Sequence, residues 1–186
     1  DLSSLWSSGD CAADAGDPVV SYDPLADRWV LAQFNGADTL CFAVSQTANP
    51  LGTYWIYDFQ TTDFPDYFKI GVWPDGYYVS TNEANYNAWA FDRVKMLQGL
   101  VAGSIKATGF AANFLMPADV DGIVAPPPGA PAIYYTFLDN SFHGGTDRLE
   151  LRAFDVNWVT PALSTFTTIG SPAVAAFTYT VCGVFN

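Results

Sequence analysis

The sequence predicts an all-β chain made of repeated four-stranded antiparallel units, and three observations lead there. The tripeptide Ala90-Phe91-Asp92 recurs as Ala153-Phe154-Asp155, and each copy closes a short strand-like run behind an aromatic strand, Gly76–Thr81 and Ala132–Phe137. Segments opening on Asp17, Asp66 and Asp119 recur at a period of about 50 residues, the scale of a repeat architecture. Short apolar and aromatic runs alternate with turn chemistry along the whole chain, as strands separated by tight turns do.

The first unit reads as strands Asp17–Tyr22, Arg28–Asn35, Thr39–Ser45 and Tyr54–Phe59. They are separated by Asp23-Pro24, Asn35-Gly36 and Asn49-Pro50-Leu51-Gly52, all residues that favour turns. The second unit reads as Phe68–Val72, Tyr77–Asn82, Ala88–Asp92 and Ile105–Thr108, with Trp73-Pro74-Asp75-Gly76 as its first turn. Between its third and fourth strands a short helix is expected, with Asp92 capping Arg93–Gln98 and Gly99 stopping it. The third unit reads as a strand near Ala118–Gly122, then Ala132–Leu138, Arg148–Asp155 and Thr165–Ile169. Pro126-Pro127-Pro128-Gly129 is a stiff surface loop ahead of its second strand. A fourth unit is expected to open near Pro172–Phe177.

Four antiparallel strands at this period match a blade of a β-propeller. The expected blades span 12–60, 64–109 and 114–170, with the start of the next at 172–186, all in a single partial domain. A β-sandwich is the alternative, but it does not explain why Ala-Phe-Asp appears twice at corresponding positions. Propellers run to about 4–8 blades, so three and a fraction leave exposed sheet edges. The expected partner is therefore the remainder of a propeller, from the same polypeptide or another chain. The apolar, β-prone run Val174–Val184 is where neighbours are expected.

Composition bounds the rest. The chain has 186 residues, half of them hydrophobic, with 19 acidic against 7 basic side chains and a formal net charge of −12. That balance argues against nucleic acid and anionic membrane surfaces as partners and permits cation binding. No apolar run approaches the roughly 20 residues of a membrane helix. The start at Asp1-Leu2-Ser3 reads as a trimmed end, so a secreted or cell-surface location is expected. In an exported chain Cys11 and Cys41 form a natural disulfide, and Cys182 is left over.

Two stretches carry a family resemblance. Gly16–Asp23 with Ala26-Asp27-Arg28-Trp29 and Cys41–Ser45 forms the first, and Asp63–Tyr78, with its Phe-Pro-Asp-Tyr and Trp-Pro-Asp-Gly blocks, forms the second. Together they resemble a family of large secreted bacterial β-propeller proteins, often attached to adhesion or surface-repeat domains. The resemblance implies an extracellular propeller and no particular reaction.

Candidate site residues follow from the repeat. Asp17, Asp66 and Asp119 would ring one mouth of a central channel, where Asp121, with Asp63 and Glu83, would complete an oxygen-rich Ca²⁺ site. The competing role for each is to accept backbone N–H bonds in its own turn. The same acids suggest a carbohydrate hydrolase, since five-bladed glycosidases resemble this chain in placing Asp-Pro at the first inner strand. Asp17 would then act as base and Glu83 as acid. Trp55, Trp73, Tyr77, Tyr78 and Trp89 would serve either as packing between units or as a sugar-stacking platform. His143, the single histidine, is expected in a loop without a catalytic role. The expected function is a non-catalytic extracellular scaffold or binding module for a protein or glycan surface.

Overall fold

The computed structural model describes residues 2–13, 15–84, 86–107, 114–122 and 124–178. Within them lie three four-stranded antiparallel sheets, each formed by strands consecutive in sequence. Sheet one is β1 (Val19–Asp23), β2 (Arg28–Phe34), β3 (Thr39–Ser45) and β4 (Tyr54–Gln60). Sheet two is β5 (Asp66–Val72), β6 (Gly76–Asn82), β7 (Tyr86–Asp92) and β8 (Ser104–Ala107). Sheet three is β9 (Met116–Pro117), β10 (Ala132–Leu138), β11 (Arg148–Asp155) and β12 (Thr165–Gly170). None of the three closes on itself. The all-β expectation holds, and the two Ala-Phe-Asp segments occupy equivalent third strands, β7 and β11.

The turn residues do what their chemistry allows. Asp23 Oδ1 accepts from the amides of Leu25 and Ala26, and Asn35 Oδ1 from those of Ala37 and Thr39. The Trp73 amide donates to the Gly76 carbonyl across the β5–β6 turn. The expected helix forms as α1 (Arg93–Met96), capped by Asp92 accepting from the Lys95 amide. It ends two residues earlier than expected and runs through a turn to Gly99, whose φ of +68° suits the stop.

Strand alternation divides the side chains of sheet two between two cores. Tyr77, Val79, Trp89 and Phe91 pack with Phe42, Leu40 and Phe59 of sheet one. Tyr78, Ala88 and Ala90 point the other way, onto Tyr134 and Phe154 of sheet three. Sheet two is thus buried on both faces, and β6 is buried along nearly its whole length for that reason, its polar Ser80 and Thr81 included. The buried Tyr134 hydroxyl donates to the Val79 and Trp89 carbonyls at 3.1 and 2.9 Å, fastening sheet three to sheet two. The aromatic residues are mainly packing: Trp73, Tyr77, Tyr78 and Trp89 are buried, while Trp55 is partly exposed.

The outer face of sheet one is closed by the N-terminal segment. Two 3-10 turns, Leu2–Leu5 and Asp10–Ala12, lay Trp6 and Cys11 against Cys41 and Ala43. The Trp6 indole donates to Asp58 at 2.8 Å, and Gln33 reaches the Cys11 carbonyl. The expected Cys11–Cys41 disulfide is present, with its Cα atoms 5.7 Å apart.

Two expected strands differ. The first strand of unit three was expected at Ala118–Gly122, but β9 is only Met116–Pro117, paired with Tyr135 and Tyr134. The Ala118 amide still donates to the Ile133 carbonyl of β10, and beyond it the chain leans across to sheet two. There the Val120 amide donates to the Val72 carbonyl, and Asp119 Oδ1 accepts from the Val72 amide at 2.7 Å. The segment from Pro172, expected to open a fourth unit, first extends the third. Ala173 bridges Arg148 antiparallel, in line with β12. Residues 179–186, including Cys182 and most of the expected Val174–Val184 strand, lie outside the described residues, as does Thr108.

Close approach of β5 to the Pro117–Ala118 backbone makes Gly71 a sensitive position. A Cβ there would run into the Ala118 carbonyl oxygen and sit 3.1 Å from Pro117 Cβ. Gly71→Ala is expected to destabilise the fold by about 1–3 kcal/mol, measured by urea unfolding, because backbone cannot swing aside as a side chain can. An effect under about 0.5 kcal/mol would mean that the two strands part easily.

Candidate functional site

The most elaborate polar cluster joins sheets one and two. Asp23, at the end of β1, is fully buried and forms a two-pronged ion pair with Arg93 at the start of α1, at 2.6 and 2.9 Å. Its Oδ2 also accepts from the Tyr77 hydroxyl at 2.9 Å, while Arg93 Nη1 donates to the Pro74 carbonyl. Burial and the Asp23 charge hold the Tyr77 phenol protonated, well above its ordinary pKa. This cluster ties two sheets together through a desolvated charge pair. It was not read from the sequence, because Asp23 and Arg93 are 70 residues apart and no periodicity links them.

The sequence-predicted acids separate into two groups. Asp17 and Asp66 are exposed near the start of β1 and β5, and both act on Lys69. Burial lowers the Lys69 pKa, and the two carboxylates oppose that shift. The Lys69 ammonium lies 3.7 Å from the Tyr67 ring centroid, and Tyr67 itself sits at a φ of +52° in the β5 bulge. Asp119 and Asp121 lie at the other end of β5, on a shallow cleft of about 500 Å³ shared with Val20, Ser21, Tyr22 and Pro24. The short β9 is the cause: Asp119 follows its strand instead of opening it. Among the described residues no group of three or more acidic, histidine or cysteine side chains gathers where it could hold a metal ion. Asp63 Oδ1 accepts from the Phe64 amide and Asp66 Oδ1 from the Tyr67 amide, the turn role foreseen as the competing one.

Glu83 is enclosed. Oε1 accepts from the Thr81 hydroxyl and the Trp89 indole at 2.7 and 2.8 Å, and Oε2 from the Thr62 amide and Lys106 Nζ, both at 3.0 Å. Lys106 Nζ also donates to the Thr62 hydroxyl. A general acid must donate a proton, whereas both Glu83 oxygens are occupied as acceptors. The side chain clasps β8 and the segment before β5 to the β6–β7 hairpin. His143 ends the four-residue helical turn α2 (Asn140–His143), 3.8 Å from Asp139.

A further cleft, of about 450 Å³, opens between sheets two and three. Its walls are the β5–β6 turn at Pro74-Asp75, Tyr78, the proline loop 125–131, and Asp155 with Trp158 beyond β11. Asp75 Oδ2 accepts from the Tyr78 hydroxyl at 2.9 Å and the Trp158 indole at 3.3 Å. Burial, with Asp75 and Asp155 nearby, keeps Tyr78 protonated far above its usual range.

Acid titration gives a testable consequence. Burial raises the Asp119 carboxyl above its ordinary 3.8, with Asp121 adding to the shift and the Val72 amide opposing it. Burial likewise raises Asp58, against the Trp6 hydrogen bond. A carboxyl whose folded pKa exceeds its unfolded one favours folding fully below the unfolded value and loses that contribution as pH rises through the folded value. Relief of the −12 net charge acts in the same direction. The melting temperature is therefore expected to rise as the pH is lowered from neutral toward the range in which these two carboxyls take up protons in the folded state. Asp119→Asn keeps an acceptor for Val72 and should raise it at neutral pH. A melting temperature that falls steadily over this interval would contradict the assignment.

Comparison of the chain with protein-family models, curated proteins and solved structures finds no match.

Proposed function

We propose that the three sheets are successive blades of a β-propeller, and that the protein serves outside the cell as a non-catalytic scaffold that binds a protein or glycan surface. The observation that carries this reading is the face-to-face stacking of three four-strand meanders of the same strand order, with the Ala-Phe-Asp strands in equivalent places. Approach of the first strands is consistent with it: β5 runs beside the segment that follows β9. The disulfide fits an oxidising compartment.

The remainder of the ring, on the same polypeptide or another chain, is the proposed partner. Sheet three favours this, because Tyr135 and Phe137 alternate onto the face turned away from sheet two, with Phe177 against Phe137 at its margin. Light scattering of the 186-residue chain is expected to give a mass above that of one 20.1 kDa chain. A stable monomer with the Phe137 face open to water would defeat the partner proposal.

A hard cation such as Ca²⁺ belongs to this reading at Asp119 and Asp121. A melting temperature unchanged by millimolar Ca²⁺, in wild type and Asp121→Asn alike, removes it. The Glu83 hydrogen bonds favour a scaffold over a carbohydrate hydrolase. Chromogenic glycosides are expected to go unhydrolysed, and turnover abolished by Glu83→Gln in a folded variant would reverse that.

A further inference from the structure

We propose that the cleft between sheets two and three binds an organic cation, an ammonium or guanidinium carried on an apolar stem. Three features of the cleft carry this.

First, its charge is uncompensated. Asp75 and Asp155 are the carboxylates on its wall, and among the described residues no Lys, Arg or His lines it. Three buried carboxylates elsewhere are matched by a cation: Asp23 by Arg93, Glu83 by Lys106, Asp92 by Lys95. The comparison with Asp92 is direct, because Asp92 and Asp155 are the same residue of the repeated tripeptide. Asp92 caps α1 and pairs with Lys95 at 2.9 Å. Asp155 ends β11 exposed, and among the described residues no hydrogen bond or ion pair reaches its carboxylate.

Second, Asp75 is aimed. Its Oδ2 holds two donors, Tyr78 and Trp158, which fixes the carboxylate and leaves Oδ1 to accept another. Tyr78 is fixed in turn by packing against Tyr134 and Phe154. A preoriented acceptor loses little freedom on binding.

Third, the walls are apolar and stiff. The prolines at 126–128 and 131 have fixed φ, and the Trp158 indole and Pro74 ring supply surface for an aliphatic stem. The volume is in the range of small-ligand sites, mostly apolar with a few placed polar groups. The net charge of −12 raises the local concentration of cations around the whole molecule. A free amine and a lysine or arginine side chain of a partner offer the same chemistry.

This deepens the binding-module reading by naming what one of its clefts takes. The test follows the Trp158 indole N–H in ¹⁵N-correlated NMR of the full chain, the signal being identified by its loss in Trp158→Phe. Butylguanidinium is expected to shift it saturably, with a Kd in the millimolar range, while the neutral isostere butylurea does not. Asp155→Asn, an exposed change outside the core, should weaken binding by at least about tenfold, and high salt should weaken it too. N-acetyl-arginine amide binding as tightly as butylguanidinium or tighter assigns the source to a peptide side chain, and weaker binding assigns it to a free amine. Equal shifts from butylurea, an unchanged Kd in Asp155→Asn, or saturation by a neutral disaccharide instead would overturn the inference. Such a failure leaves the stacked-sheet scaffold intact, since that stands on mass and sheet packing.

Discussion

Replacing Arg93 with methionine is expected to lower the unfolding free energy by about 3–5 kcal/mol, the range seen when one member of a buried ion pair is removed. The loss comes mainly from what stays behind. Asp23 would keep a full charge at a site closed to water, with only the Tyr77 hydroxyl and the Leu25 and Ala26 amides to solvate it. Urea unfolding followed by tryptophan emission would read the change. The double variant Asp23→Asn with Arg93→Met should recover part of it, because the asparagine still accepts from the turn amides and leaves no orphaned charge. A single-variant loss below about 1 kcal/mol would show that water reaches the pair and that the two sheets are less tightly joined than the geometry indicates.

The second large effect is expected from the disulfide. Removing Cys11–Cys41, a cross-link over a separation of 30 residues, should cost about 3–4 kcal/mol on a chain-entropy basis. The consequence is also local. Cys11 and Trp6 cover Cys41 and Ala43, so Cys11→Ser with Cys41→Ser should loosen the N-terminal turns before the sheets melt. Trp6, now 4% exposed, would become accessible to a collisional quencher in the variant at denaturant concentrations where β-sheet circular dichroism is unchanged. Quenching that changes only with global unfolding would mean that packing alone holds the segment.

Much of the fold was legible because it is written locally. Asp23-Pro24, Asn35-Gly36 and Trp73-Pro74-Asp75-Gly76 each close a hairpin with hydrogen bonds inside a few residues, and Asp92 caps the helix that directly follows it. What was not legible depends on meetings between distant segments. The strand expected at Ala118–Gly122 gave way because Asp119 found the Val72 amide, 47 residues away. Asp17, Asp66 and Asp119 look equivalent by period, yet one shortened strand moves Asp119 to the opposite end of its neighbour. Glu83 looked available as a free acid, but Lys106 and Thr62, donors no motif marks, enclose it. Asp75 and Trp158 meet across 83 residues, and only the packing of sheets two and three brings them together.

The sequential strand order has a kinetic consequence. Each strand pairs with the next in the chain, and each sheet packs on the one made just before it. Loop-closure entropy is then paid in short instalments, and such topologies fold quickly for β proteins. During synthesis, all the strands of sheet one and both cysteines of its cross-link are available once Gln60 has emerged, before any of sheet three has left the ribosome. The finished sheet would then offer Phe42 and Phe59 as a template for Phe91, and sheet two would offer Tyr78 for Phe154. Folding would thus advance in one direction along the chain, and a lesion in sheet one should delay everything after it, whereas one in sheet three should leave the first two sheets formed.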